Sequence, residues 1–248
     1  MKAQLATLVL VAACGGSGSE PNSTADGNTS TDGAKAGIDA PSSVTITVTG
    51  TAAERGSGSS STPIAGLAVS VYKSSDETTP VGMAMTDAQG KYTITVTAPG
   101  PFEGFVKGSK SGYVDAYDYS DAPLSGNTPA DLNMITPSNF NLLSTFAGGN
   151  QQASKGLIVL AVLDASMNPV AGAKVSSTPA SSPYRYNGSS GIPDQNAMST
   201  GADGAAFMFN VPATQAVTVT AMKTGMTFKS HSLKAHAGAF TLTFVRPQ

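Results

Sequence analysis

Few residues in this sequence have side chains able to react or to bind a ligand. Cys14 is the one cysteine, and His231 and His236 are the two histidines. A single thiol cannot close an intramolecular disulfide, so Cys14 calls for another role. The odd separation of the histidines would put them on opposite faces of a continuous strand, where they converge poorly on a metal. The richest binding stretch is Gly112-Tyr113-Val114-Asp115-Ala116-Tyr117-Asp118-Tyr119-Ser120-Asp121. Read at a period of two, Tyr113, Asp115, Tyr117 and Tyr119 fall on one strand face. Aromatic faces beside carboxylates suit sugar stacking with hydrogen bonds to hydroxyls, or weak Ca²⁺ capture. The competing expectation is structural: tyrosines filling a sandwich rim and aspartates solubilising an edge. A second candidate is the loop from Tyr184 to Asn196.

The groups needed for catalysis are not assembled at recognisable spacings. No Gly-x-Ser-x-Gly elbow occurs, and Gly90-Lys91 lacks the upstream glycine of a phosphate loop. No catalytic residue, metal or cofactor is therefore expected, and the protein is expected not to be an enzyme. With 12% charged residues and a net charge of −2, there is no basic footprint for nucleic acid.

The N-terminus supplies the role for Cys14. Met1-Lys2 is followed by an apolar run from Ala3 to Ala13, the shape of a signal peptide and too short to span a membrane. Val11-Ala12-Ala13-Cys14 resembles the bacterial lipobox. The resemblance implies that Cys14 is diacylated on sulfur, becomes the mature N-terminus and is acylated on nitrogen, a multi-chain anchor to the membrane. Gly15 rather than Asp after the cysteine implies the outer membrane of a bacterial cell envelope. Residues 14–43 hold almost no large apolar side chain and are expected to form a disordered tether. About 28 such residues would span roughly 30 Å.

An internal repeat organises the rest. Pro63-Ile64-Ala65-Gly66-Leu67-Ala68-Val69-Ser70 matches Pro169-Val170-Ala171-Gly172-Ala173-Lys174-Val175-Ser176. Thr86-Asp87-Ala88-Gln89-Gly90 is echoed by Thr200-Gly201-Ala202-Asp203-Gly204, and Lys110-Ser111-Gly112-Tyr113 by Lys223-Thr224-Gly225-Met226. Pro and Gly mark turns, and Val44 to Val48, Tyr92 to Val96 and Phe207 to Val211 alternate as half-buried strands. Leu157 to Val162 is instead a continuous apolar run. Between the copies, Thr136-Pro137 precedes Phe140, Leu143 and Phe146, and a Gly148-Gly149 pair follows. This predicts a short capped helix packed on a sandwich.

The order of these blocks resembles the carboxypeptidase regulatory-like family, whose modules are transthyretin-like, or prealbumin-like, sandwiches. Asn168-Pro169-Val170-Ala171-Gly172-Ala173-Lys174-Val175 carries the likeness best. The first copy departs from it by a Gly/Ser insertion at Gly56 to Ser61 and by Leu67. The resemblance implies an all-β chain of two tandem Greek-key β-sandwiches, about seven strands each, with a short connecting helix. The expected boundaries are 1–13 (signal peptide), 14–43 (tether), 44–133 (first sandwich), 134–155 (connector) and 156–248 (second sandwich).

Two other likenesses fail on the residues. Tyr184-Arg185-Tyr186-Asn187-Gly188-Ser189 resembles the C-terminal Tyr-Arg-Gly-Ser of the hydroxyisourate hydrolases, but is expected here inside a loop. The isopeptide-forming adhesin modules share the Asp-Gly turn, yet their Glu-x-x-Ala-Pro-x-Gly-Tyr stretch is missing. The expected function is a non-enzymatic envelope or surface lipoprotein, with a glycan or an envelope protein as partner besides the membrane. The alternative is an accessory subunit or weak hydrolase on a transthyretin-like scaffold.

Overall fold

Strand β1 (Val44–Arg55) grows from the alternating segment that opens the first copy, and Ile46 and Val48 on its inner face are fully buried. The structure, a computed structural model, describes residues 43–55 and 61–247. Cys14, the signal-like segment, nearly all of the expected tether and most of the Gly56 to Ser61 insertion lie outside the described residues. The first copy continues with β2 (Ser61–Pro63), β3 (Ala68–Lys73), β4 (Gly82–Met85), β5 (Lys91–Ala98) and β6 (Gly104–Ser109). It ends with β7 (Ala116–Tyr119), β8 (Asn127–Pro129) and β9 (Leu132–Met134). Helix α1 (Pro137–Phe146) follows. The second copy supplies β10 (Lys155–Val162), β11 (Lys174–Thr178), β12 (Tyr184–Asn187), β13 (Pro193–Asp194) and β14 (Ala205–Pro212). Its last strands are β15 (Ala216–Lys223), β16 (Met226–Thr227), β17 (His231–Lys234) and β18 (Phe240–Val245).

The described residues form an all-β fold with one short helix, as the turns and alternating segments predict. Its strands form three sheets. The first runs β2-β1-β5, with β8 and β9 parallel to β1, and the third runs β11-β15-β16, with β17 on β15. Between them lies a nine-stranded sheet, β13-β12-β14-β10-β18-β7-β6-β3-β4, drawn from both copies. The junction is the parallel pair β7–β18, with Ala116 opposite Phe240, Tyr117 opposite Thr241 and Asp118 opposite Leu242. The two sandwiches thus share their middle layer. The first sheet covers one face of it, where Val69, Val71 and Val106 join Ile46, Val48 and Ile94 in one core. The third sheet covers the other face, where Ile158, Leu160 and Met208 join Val175, Val217 and Val219 in a second core.

This arrangement explains a difference between the copies. β5 alternates between exposed and buried because its outer face meets solvent. In β10, Leu157 and Val159 enter the first core while Ile158 and Leu160 enter the second, so Gly156 to Val162 are all buried. A strand covered on both faces reads as a continuous apolar run.

The repeat holds at the level of single hydrogen bonds. In the first copy Thr86 Oγ1 donates to the Ile64 carbonyl (2.6 Å) and accepts from the Leu67 amide (2.9 Å). In the second, Thr200 Oγ1 donates to the Val170 carbonyl (2.6 Å) and accepts from the Ala173 amide (2.9 Å). Each hydroxyl latches the Pro-x-Ala-Gly turn to the strand after it. Gly90 and Gly204 take positive φ of 74° and 66°. A Cβ there would lie 2.4 Å from the Ala52 oxygen and 2.5 Å from the Val162 oxygen, so both turns require glycine.

Helix α1 has the expected N-cap, with Thr136 Oγ1 accepting from the Asn139 amide at 3.3 Å. Phe140 is buried and Leu143 packs on the first core, but Phe146 is 42% exposed, contrary to its expected place on the packed face. The helix end is tied down instead by Arg185, whose Nε donates to the Ala147 carbonyl at 2.6 Å.

Candidate functional site: the seam between the two copies

The tyrosine-rich stretch becomes β7, and β7 is the junction strand. Tyr117 and Tyr119 point into the second core, and Asp118 to the opposite face. Phe105, opposite Tyr119 on β6, stacks on its ring at 4.6 Å and on Tyr72 at 5.2 Å. From the other copy, the connection between β17 and β18 brings His236 over Tyr117, with ring centroids 3.6 Å apart and planes 6° from parallel. His236 Nε2 also lies 3.2 Å from the Tyr119 hydroxyl. Burial pushes the His236 imidazole down to about 4, with Glu77 partly opposing, so the ring is neutral at pH 7.

Polar groups rim this aromatic stack. Asp115 accepts from Ser109 Oγ at 2.6 Å and pairs with Lys107 at 2.9 Å. The Lys107 ammonium sits 5.3 Å from the Tyr117 ring centroid. Lys234 and Glu77 form a second ion pair across the copies at 2.7 Å. On the other face Asp118 is driven up to about 7, first by burial and then by the nearby Asp131 carboxylate.

The sequence-predicted sugar face is corrected in two respects. Tyr113 does not share it: it lies in the bend before β7, packs against the first core and donates its hydroxyl to Glu54 at 2.9 Å. Asp115, Tyr117 and Tyr119 do share a face, but Tyr117 is 9% exposed and Tyr119 2%. Their rings are covered by His236 and Phe105 and offer no open face to a sugar. The physical reason is the fusion of the copies, which turns this sheet face into interior.

The first part of the second candidate is built into a sheet. Tyr184–Asn187, expected in a loop, is strand β12, paired with β13 and β14. β11 is an edge strand of the third sheet, and two of its amides are met by tyrosine hydroxyls in place of a neighbouring strand. Tyr186 Oη accepts from the Val175 amide at 3.0 Å, and Tyr184 Oη from the Ser177 amide at 3.1 Å. Two residues apart on β12, they cap alternate N–H groups of the edge.

No protein-family model matches the chain, and no curated protein matches it. Solved structures similar to it include the Bacillus anthracis TIE protein, at 11% identity and a TM-score of 0.28, covering 83% of this chain and 34% of that one. The shaft pilin SpaA of Lactobacillus rhamnosus GG gives 12% identity and 0.27, covering 83% and 98%. GBS52, a minor pilin of Streptococcus agalactiae, gives 13% and 0.26, covering 82% and 96%. Similarity this low carries no argument, and the fold rests on the strand pairing itself.

The two histidines are engaged separately. His236 serves the seam, whereas His231 Nδ1 meets Thr243 Oγ1 at 2.8 Å. Among the described residues no group of three or more His, Cys, Asp or Glu side chains is placed to hold a metal. Sequence reasoning missed His236 as the partner of Tyr117, and nothing in its Ala-His-Ala-Gly context signals that pairing.

Proposed function

We propose that this chain is a non-enzymatic lipoprotein of the bacterial cell envelope, held at the membrane through Cys14 and built to present one rigid double sandwich. The observation that carries the rigid-body part is the β7–β18 pairing with its aromatic seam, which commits the most ligand-like side chains of the sequence to joining the copies. The lipobox-like Val11-Ala12-Ala13-Cys14 supports the anchor, and Gly15 supports placement at the outer membrane. The turn blocks around Pro63 and Pro169, with their paired Thr86 and Thr200 latches, support membership of the carboxypeptidase regulatory-like modules.

Cys14→Ser tests the anchor. The wild-type chain should partition into the membrane fraction and incorporate labelled fatty acid, and the variant should do neither. A variant that stays membrane-bound and labelled would sink the lipoprotein reading. A panel of ester, peptide and glycan substrates tests the rest. Turnover by the wild type that disappears in His231→Ala or His236→Ala would overturn the non-enzymatic assignment in favour of a weak hydrolase.

A further inference from the structure

At one end of the seam is a cleft of about 490 Å³, within the size range of small-ligand sites. Its lining includes Asp121 from the first copy and Lys229, His231, Phe244, Arg246 and Pro247 from the second, so it exists only because the copies are fused. We propose that it binds an acidic sugar, a pyranose ring carrying a carboxylate.

The hydrogen-bond network determines what the cleft presents. Thr243 Oγ1 donates its one hydrogen to the Tyr119 carbonyl at 3.0 Å, since a carbonyl can only accept. Towards His231 the same oxygen is therefore an acceptor, and His231 Nδ1 must carry the proton of their 2.8 Å bond. Burial lowers the His231 pKa, with Asp121 partly opposing and Lys229 adding to the effect, so the ring is neutral. Its Nε2 is left as a bare lone pair on a side chain that lines the cleft. Asp121 is held by the Arg246 guanidinium through two bonds, the Nη2 one at 2.8 Å. Each carboxylate oxygen keeps a further lone pair for a hydroxyl. Lys229 is exposed and enters no ion pair among the described residues. Phe244, with Arg246 5.7 Å from its ring centroid, and Pro247 supply an apolar wall.

Two fixed acceptors, one available cation and an apolar wall complement a ligand with two hydroxyl donors, one anionic group and an apolar ring face. A uronic acid has all three. Neutral sugars lack the group that Lys229 would pair with, and simple carboxylates lack the donors that His231 Nε2 and Asp121 would receive. This ligand assignment goes beyond the structural role and does not depend on the anchor.

The test is calorimetric titration of the full-length chain in detergent with glucuronic acid, and with glucose and acetate as half-matched controls. Saturable glucuronate binding is expected, with glucose and acetate at least tenfold weaker. Lys229→Ala should cut the affinity at least fivefold. Because Lys229 is exposed, this variant should keep the wild-type melting temperature. His231→Ala should do the same to affinity, and Cys14→Ser should leave it unchanged. Absence of saturable glucuronate binding, equal binding of glucose, or full affinity in Lys229→Ala would each overturn the assignment. Any of these outcomes would leave the membrane-anchor test untouched.

Discussion

The imidazole of His236 lies flat on the ring of Tyr117, 3.6 Å between centroids, and the two side chains come from different copies of the repeat. A covered aromatic pair of this kind contributes about 0.5–1.5 kcal/mol beyond its buried area. The contact from His236 Nε2 to the Tyr119 hydroxyl adds a hydrogen bond of similar worth. His236→Ala should therefore lower unfolding stability by about 1–3 kcal/mol in a urea titration. An unchanged midpoint would mean that the seam is not held by this stack.

Two groups at the junction should give opposite pH dependences over the same window. His236 has a folded pKa near 4, below its ordinary 6.5, so the unfolded chain takes up the proton first. Its contribution is complete above pH 6.5 and is lost as the pH falls towards 4. Asp118 has a folded pKa near 7, above its ordinary 3.8, so the folded chain holds the proton longer and stability is lost as the pH rises from about 4 to 7. Relative to wild type, Asp118→Asn should gain stability at pH 8, and its stability should rise from pH 4 to 6.5. His236→Phe should show the reverse slope. Parallel curves for the two variants would contradict both assignments.

The Thr86 and Thr200 latches occupy equivalent places, so their removal should cost the same. In Thr86→Val the buried Leu67 amide and Ile64 carbonyl each lose a partner, and Thr200→Val does likewise to Ala173 and Val170. Each substitution should cost about 2–3 kcal/mol, while Thr→Ser at either site should recover most of it. Chemical denaturation of both single variants checks the equality. A tenfold difference in their unfolding constants would show that the copies are not mechanically alike.

Tyr186 protects an edge. Tyr186→Phe keeps the ring but leaves the Val175 amide on β11 without its acceptor. The expected cost is about 1–2 kcal/mol, and hydrogen exchange at Val175 should accelerate while the β15 amides paired with β11 change little. Unaltered exchange at Val175 would assign Tyr186 a packing role only.

Most of the architecture was legible because local chemistry determines it. Pro-x-Ala-Gly and Asp-x-x-Gly demand turns, alternating Val and Thr demand half-buried strands, and the recurrence of these blocks marks a duplication. The continuous apolar run of Leu157 to Val162 was visible in the sequence, and the structure shows it to be a strand buried on both faces. Its covering layers, however, come from segments far away in the chain. The Tyr113 to Tyr119 face differs from its sequence expectation for a related reason: period-two alternation gives the side of a strand, not what lies on that side.

By itself the sequence determined most of the elements, the repeat and the cap of the helix, all of which depend on neighbours a few residues apart. Only the tertiary structure decided that β7 and β18 pair, that His236 closes over Tyr117, and that His231 and Asp121 line one cleft. Those relationships join residues more than a hundred positions apart. Burial and edge pairing, which no short window encodes, turned the exposed face expected from alternation into the seam between the two copies.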